Sequence, residues 1–216
     1  MLKNKLFKNT LNFKKWKKNI NKGKIKLIKI KKISEIYRSD SDFNIGTIDC
    51  DFIINKKKIK RIVQLEGDSV VIVPILKLKN NKKFMTILVR QFRLAVGRET
   101  LEFPSGGVNN NNYKKKALEE IFEETGIKIK NNNLIKLNNK PIFMLPSNNF
   151  ARVNFYYFIK KIDSNWIKRN NNKKTGIKKE GELIKTRVVT FDSLKFSQSA
   201  SVIVGLKLLN NKKILK

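Results

Sequence analysis

Apolar and polar positions along this chain alternate in short blocks, most of them of strand length. Residues 70–78 (VVIVPILKL), 84–89 (FMTILV), 153–162 (VNFYYFIKKI) and 183–191 (LIKTRVVTF) are rich in β-branched and aromatic side chains, which suit a pleated, partly buried surface. Residues 80–83 (NNKK) then read as a hairpin connection. Two blocks carry a helical period instead. One begins near Tyr113 and ends at Thr125, with Gly126 as its stop because glycine accepts the left-handed conformation a helix end requires. The other covers residues 199–209. Strands, then a helix, then strands again predict an α+β or mixed sandwich.

The first helix has an unusual acidic face. At 3.6 residues per turn Ala117, Leu118, Ile121 and Thr125 line one side, while Glu120, Glu123 and Glu124 share another. The charges oppose the helix dipole: Lys114, Lys115 and Lys116 stand at its positive end and the glutamates toward its negative end, at about 0.3–1 kcal/mol each. A bound divalent cation would offset that cost, since Mg2+ and Mn2+ take hard carboxylate oxygens. A solvated acidic face salted by nearby lysines is the alternative.

Composition sharpens the contrast. The chain has 216 residues, 49 Lys+Arg against 17 Asp+Glu, and a net charge of +32, yet four of its acids fall within residues 119–124. It contains no histidine, and Cys50 is its one cysteine, so an internal disulfide, a Ser-His-Asp triad and His- or Cys-built metal sites are excluded. Acid–base or metal chemistry here falls to carboxylates. No run of eighteen apolar residues predicts a transmembrane helix, so no membrane partner is expected. Residues 1–34 hold thirteen lysines and no acid, interleaved with Leu2, Leu6, Phe7, Leu11, Phe13 and Trp16. That pattern is compatible with an organelle transit peptide; a solvated basic tail and an RNA-binding extension are the other readings. Asn/Lys runs at 109–112, 131–133, 138–140, 170–174 and 210–213 fall between the apolar blocks and read as compositional bias in surface loops.

Residues 106–127 (GGVNNNNYKKKALEEIFEETGI) resemble the Nudix box, G-x5-E-x7-R-E-U-x-E-E-x-G-U with U aliphatic. Glu120, Ile121, Phe122, Glu123, Glu124, Thr125, Gly126 and Ile127 match its final half. In the first half Glu119 stands at the arginine position, the earlier glutamate falls in the loop 109–112, and the spacing is one residue short. The flanks are similar too. Residues 87–108 (ILVRQFRLAVGRETLEFPSGGV) look like the stretch that precedes the box in ADP-sugar and ADP-ribose pyrophosphatases. Residues 61–76 are similar to the strand pair opening that domain, 181–194 to its G-E-F-I-x-V segment and 201–209 to its closing helix. The likeness is greatest to the plant-type ADP-sugar diphosphatase branch.

The resemblance implies a Nudix α/β/α sandwich, a mixed β-sheet between helices, over residues 45–210, with 1–40 a basic extension and 211–216 a basic tail. It implies hydrolysis of a nucleoside diphosphate-linked sugar to a nucleotide and a sugar phosphate, with Mg2+ or Mn2+. It puts metal ligation on Glu120, Glu124, Glu123 and the carbonyl of Ser105. Glu182 matches a mobile-loop glutamate, a candidate general base, and Glu123 a second catalytic carboxylate; Arg93 and Glu102 fall at substrate-binding positions. Family members are usually homodimers. The extension points to an organelle, plastid or mitochondrion, with the cytoplasm as the alternative. Glu119 reverses the charge of an arginine that holds the box carboxylates in place, and PSNNFAR (146–152) lacks an acid found in many relatives. A catalytically impaired module holding RNA through its basic surface, even as an organellar ribosome-associated protein, is the competing expectation.

Overall fold

Asn55 and Lys56 both take positive φ, 49° and 64°, and the strands on either side meet with Ile54 facing Lys57. Two left-handed residues between antiparallel strands match the right-handed twist of the hairpin and pin its register. This hairpin organises the first of two units in the computed structural model, which describes residues 11–22, 26–37, 44–79, 83–108, 111–177 and 182–215. The first unit comprises Met1–Asp68, Gly107–Asn109 and Ile142–Val153. The second comprises Ser69–Gly106, Asn110–Pro141 and Asn154–Lys216.

In the first unit β1 (Lys26–Tyr37), β2 (Asn44–Ile54) and β3 (Lys57–Leu65) form an antiparallel sheet with β2 in the middle. Alternation along β2 sends Ile48, Cys50 and Phe52 to one face, where they are buried with Leu65. Helix α1 (Leu11–Lys22) covers that face with Phe13 and Trp16, three positions apart and therefore on one side of the helix. On the opposite face Asp51 is buried between Lys31 Nζ (2.9 Å) and Lys58 Nζ (3.2 Å). The register of β1 slips between Ile30 and Lys32, a bulge that brings Lys31 to Asp51. Arg152 closes the unit with a two-pronged hydrogen bond to the buried Asp68, its Nε at 2.9 Å from Oδ1.

The expected boundary between an extension ending at residue 40 and a domain beginning at 45 therefore falls between two strands paired along their length, β1 and β2. Residues 11–22 and 26–37 are part of a folded unit: they supply α1, β1 and two core aromatics. The first ten residues lie outside the described ones.

The second unit is built on a sheet in the order β11–β12–β5–β4–β10–β8. Its strands are β4 (Asp68–Leu78), β5 (Phe84–Arg93), β8 (Ile135–Lys136), β10 (Arg152–Ile162), β11 (Lys174–Thr175) and β12 (Ile184–Thr190). Strand β6 (Arg98–Glu102) pairs with β5 and β7 (Ser105–Val108) with β4, while β9 (Ile142–Phe143) pairs with the first residues of β10. Strand β4 lies between β5 and β10 and is buried without interruption from Val70 to Leu76, as a central strand covered on both faces requires. Strand β12 alternates, with Ile184, Thr186 and Val188 inward and Lys185 and Arg187 outward.

Helices α2 (Tyr113–Thr125), α3 (Ser164–Asn170) and α4 (Ala200–Asn211) complete this unit. Gly205 lets α4 sit directly on the core: a Cβ there would come within 2.8 Å of Phe103 and 3.1 Å of Val73. The four expected strands and two expected helices are all present, and β5 runs four residues beyond its expected end at Val89, to Arg93. Residues 80–82 of the expected hairpin connection lie outside the described residues; its flanks pair with Leu76 facing Met85. Among the described residues no helix is long and apolar enough to cross a membrane.

Candidate active site

Helix α2 forms because Asn112 caps its start, accepting a hydrogen bond from Lys115 N–H at 3.3 Å, and Gly126 ends it at φ 76° with its N–H on Phe122 O at 2.7 Å. Its apolar side is buried through Ala117 and Ile121, joined by Thr125. The acidic side is buried too. Glu120 is 8% exposed and Glu124 3%, one helical turn apart, while Glu123 is half-buried at the rim.

Burial drives the electrostatics of this pair. It pushes the Glu120 carboxyl up to about 7, against the downward pull of Lys116. It pushes Glu124 well above the usual carboxylate range, with the charge of Glu120 adding to the effect and the Ser105 N–H, 2.8 Å from Glu124 Oε2, opposing it. Both acids feel the charge of Glu182. Gly106 stands directly against Glu120: a Cβ there would overlap the carboxyl group and come within 2.7 Å of its Cγ.

Glu119, at the position of the family arginine, points away from the cluster, its side chain 43% exposed, with Lys115 Nζ 3.7 Å away. Lys116 supplies the missing cation, its Nζ 2.7 Å from Glu120 Oε1 and 3.9 Å from Glu123 Oε2. The i,i+4 spacing of Lys116 and Glu120 is the sequence signal for this pair.

Arg93 and Glu102 are brought together on the β5–β6 hairpin. Arg93 Nε donates to Glu102 Oε1 at 2.9 Å and its Nη2 to Oε2 at 2.8 Å; Thr100 Oγ1 donates to Oε1 at 2.6 Å. Burial raises the Glu102 carboxyl, but these hydrogen bonds outweigh it and hold the group below its ordinary value. The fork likewise raises Arg93, which also feels Glu124 and Glu182. Its guanidinium thus shares one electrostatic neighbourhood with the buried acids. Glu182 follows β11 and accepts a hydrogen bond from Ile177 N–H at 3.1 Å.

The donor set suits a hard divalent cation on one observation: two buried carboxylates on successive turns, both driven toward neutrality, gain most from a dication that would keep them ionised. Glu123 stands half-buried at the rim, with its Oε2 3.9 Å from Lys116 Nζ. Ser105 reaches the cluster through its N–H. Among the described residues, no three acidic, cysteine or histidine side chains are gathered as a ready metal cage.

No family model matches the chain. It is 24% identical over 162 residues to Nudix hydrolase 14, chloroplastic, of Arabidopsis thaliana, a match covering 70% of this chain and 52% of that protein. The chain is thus similar to a Nudix hydrolase. It spans about half the length of that curated relative. The fold is that of a solved ADP compounds hydrolase, with a TM-score of 0.54 at 16% identity, covering 87% of this chain and 94% of the other. The Nudix-like architecture, a mixed sheet with helices packed against it, agrees with the sequence expectation.

Proposed function

We propose that this chain hydrolyses the pyrophosphate of an ADP-linked sugar, such as ADP-ribose or ADP-glucose, to AMP and a sugar phosphate. The observation that carries the reading is the pair of buried, near-neutral carboxylates Glu120 and Glu124 on one helix of a Nudix-like fold, with Gly106 leaving Glu120 its space.

In this reading Glu120 and Glu124, with Glu123 and the Ser105 carbonyl, hold Mg2+ or Mn2+, which when bound would neutralise phosphate oxygens. Arg93 offers its guanidinium to the substrate phosphates or distal ribose, and Glu102 fixes its plane through the two-pronged bond. Glu182 accepts the proton of the attacking water, and Glu123 stands as a second proton acceptor at the rim.

A homodimer fits this reading, since Phe92, Leu94 and Val96 stand exposed on the β5–β6 hairpin. An organellar location is supported by the chloroplastic name of the relative.

The second reading, a module that holds RNA without cleaving pyrophosphates, is favoured by one feature: Lys29, Lys32, Lys58 and Lys60 are exposed on the sheet of the first unit. Phosphorus NMR of purified protein with Mg2+ and ADP-ribose or ADP-glucose separates the two. Stoichiometric AMP and sugar phosphate support hydrolysis. Intact substrate, with RNA binding that falls steeply in salt, supports the module.

A further inference from the structure

Two hydrogen bonds fasten the C-terminal end of α2 to Thr175 and Gly176, and two more tie the next residue, Ile177, to Glu182. Thr175 Oγ1 donates to the main-chain oxygen of Glu124 at 2.6 Å, and Gly176 N–H to that of Glu123 at 3.2 Å. Immediately beyond, Ile177 N–H donates to Glu182 Oε2 at 3.1 Å and Glu182 N–H donates back to Ile177 O at 3.4 Å. Thr175 is itself held in the sheet opposite Ile184.

The last carbonyls of a helix lack partners within it. Here Gly126 N–H satisfies only Phe122 O, and β11 with the residue after it supplies the next two donors from about fifty residues along the chain. At Gly176 the chain turns with φ 89°, where a side chain is strained, and a Cβ would come within 3.1 Å of Glu182 Cβ. The clamp therefore joins the helix of Glu120 and Glu124 to the backbone that aims Glu182. A glutamate on a connection is otherwise free to sit roughly an ångström or more from its working place.

We propose that Thr175 is a positioning residue: its hydroxyl, with the Gly176 N–H beside it, sets Glu182 in register with the buried acids of α2. Thr175 touches no substrate and acts through the backbone. This rests on the hydrolase reading with Glu182 as proton acceptor. Thr175→Val keeps the shape and removes the donor; Thr175→Ser keeps the donor.

The test is steady-state hydrolysis of ADP-ribose with Mg2+ by the full chain and its Thr175→Val, Thr175→Ser, Glu182→Gln and Thr175→Val/Glu182→Gln variants, with amide exchange measured at Gly176 and Ile177. Thr175→Val lowers kcat by about tenfold to a hundredfold with KM within about twofold, and Thr175→Ser recovers most of it. In the Glu182→Gln background the same change costs less than about twofold, because its target is already gone. Exchange at both amides speeds up in Thr175→Val. An active wild type with unchanged kcat in Thr175→Val, or the same loss in both backgrounds, overturns the proposal alone. A wild type that releases no AMP overturns the hydrolase reading, and unchanged amide exchange then overturns the clamp as well.

Discussion

Lys116 and Glu120 lie one helical turn apart on α2 with Nζ and Oε1 at 2.7 Å, and this contact gives the buried carboxylate its cation. The reversed charge at Glu119, on the preceding residue, faces solvent and Lys115. The nearest lysine of Glu120 is thus Lys116, whereas Glu119 makes its ion pair with Lys115. Lys116→Met is expected to destabilise the metal-free protein by about 1–3 kcal/mol at pH 8, falling toward zero below about pH 5 where Glu120 is protonated. Glu119→Ala is expected to change stability by less than about 0.5 kcal/mol. Urea unfolding at the two pH values checks both.

Burial holds a proton on Glu120 to about pH 7, whereas an ordinary glutamate loses it at 4.5. Its folded pKa lies above its unfolded one, so its contribution to metal-free stability is complete below about 4.5 and is lost as pH rises through about 7. Glu124 acts in the same direction. Asp51 and Glu102, both held low, act oppositely at the acid end. The difference between wild type and Glu120→Gln isolates the first effect: the variant gains on wild type by about 3 kcal/mol from about pH 4.5 to 8. Mg2+ or Mn2+ reverses that gain at about pH 8, because only the ionised acid binds it. Thermal unfolding across pH, with and without metal, reads both.

Gly106→Ala places a methyl group where the Glu120 carboxyl lies. The glutamate must swing out, which costs the site more than the fold. Hydrolysis is expected to fall by about a hundredfold or more while the urea midpoint moves by less than the equivalent of about 2 kcal/mol. Paired activity and unfolding measurements on one preparation show whether the two separate.

Arg93→Lys removes the planar fork that grips Glu102 at 2.8 and 2.9 Å. A lysine makes one contact where arginine makes two, so KM for an ADP-sugar is expected to rise by about tenfold, with a stability loss near about 1 kcal/mol because the pair is partly exposed. Steady-state kinetics distinguish this from a change in kcat alone.

Much of the second unit was legible because its strands are apolar and its acidic helix ends in a glycine stop. Strand β4 could be placed from Val70–Leu78 alone, and Gly126 marked the end of α2 where its φ of 76° requires glycine. The three-stranded sheet of the first unit was missed. Its lysine-rich strands β1 and β3 hide a weak period-2 signal, although Ile48, Cys50 and Phe52 alternate and Asn55 marks the turn. At the site, the clustering of Glu120 and Glu124 followed from helical spacing. The pairing of Lys116 with Glu120 carries the local i,i+4 signal, but the roles of Gly106 and Thr175 did not follow, since close approach of a glycine and the partner of a helix carbonyl are set by contacts distant in sequence.

The most direct test of the central claim is the rate of AMP release from ADP-ribose at saturating Mg2+, measured side by side for wild type and Glu124→Gln. The amide that this substitution introduces keeps an acceptor for the Ser105 N–H but removes the charge a cation needs. The account predicts metal-dependent release by wild type and a loss of at least about a hundredfold in the variant. No AMP from wild type, or equal rates from the two proteins, would contradict it.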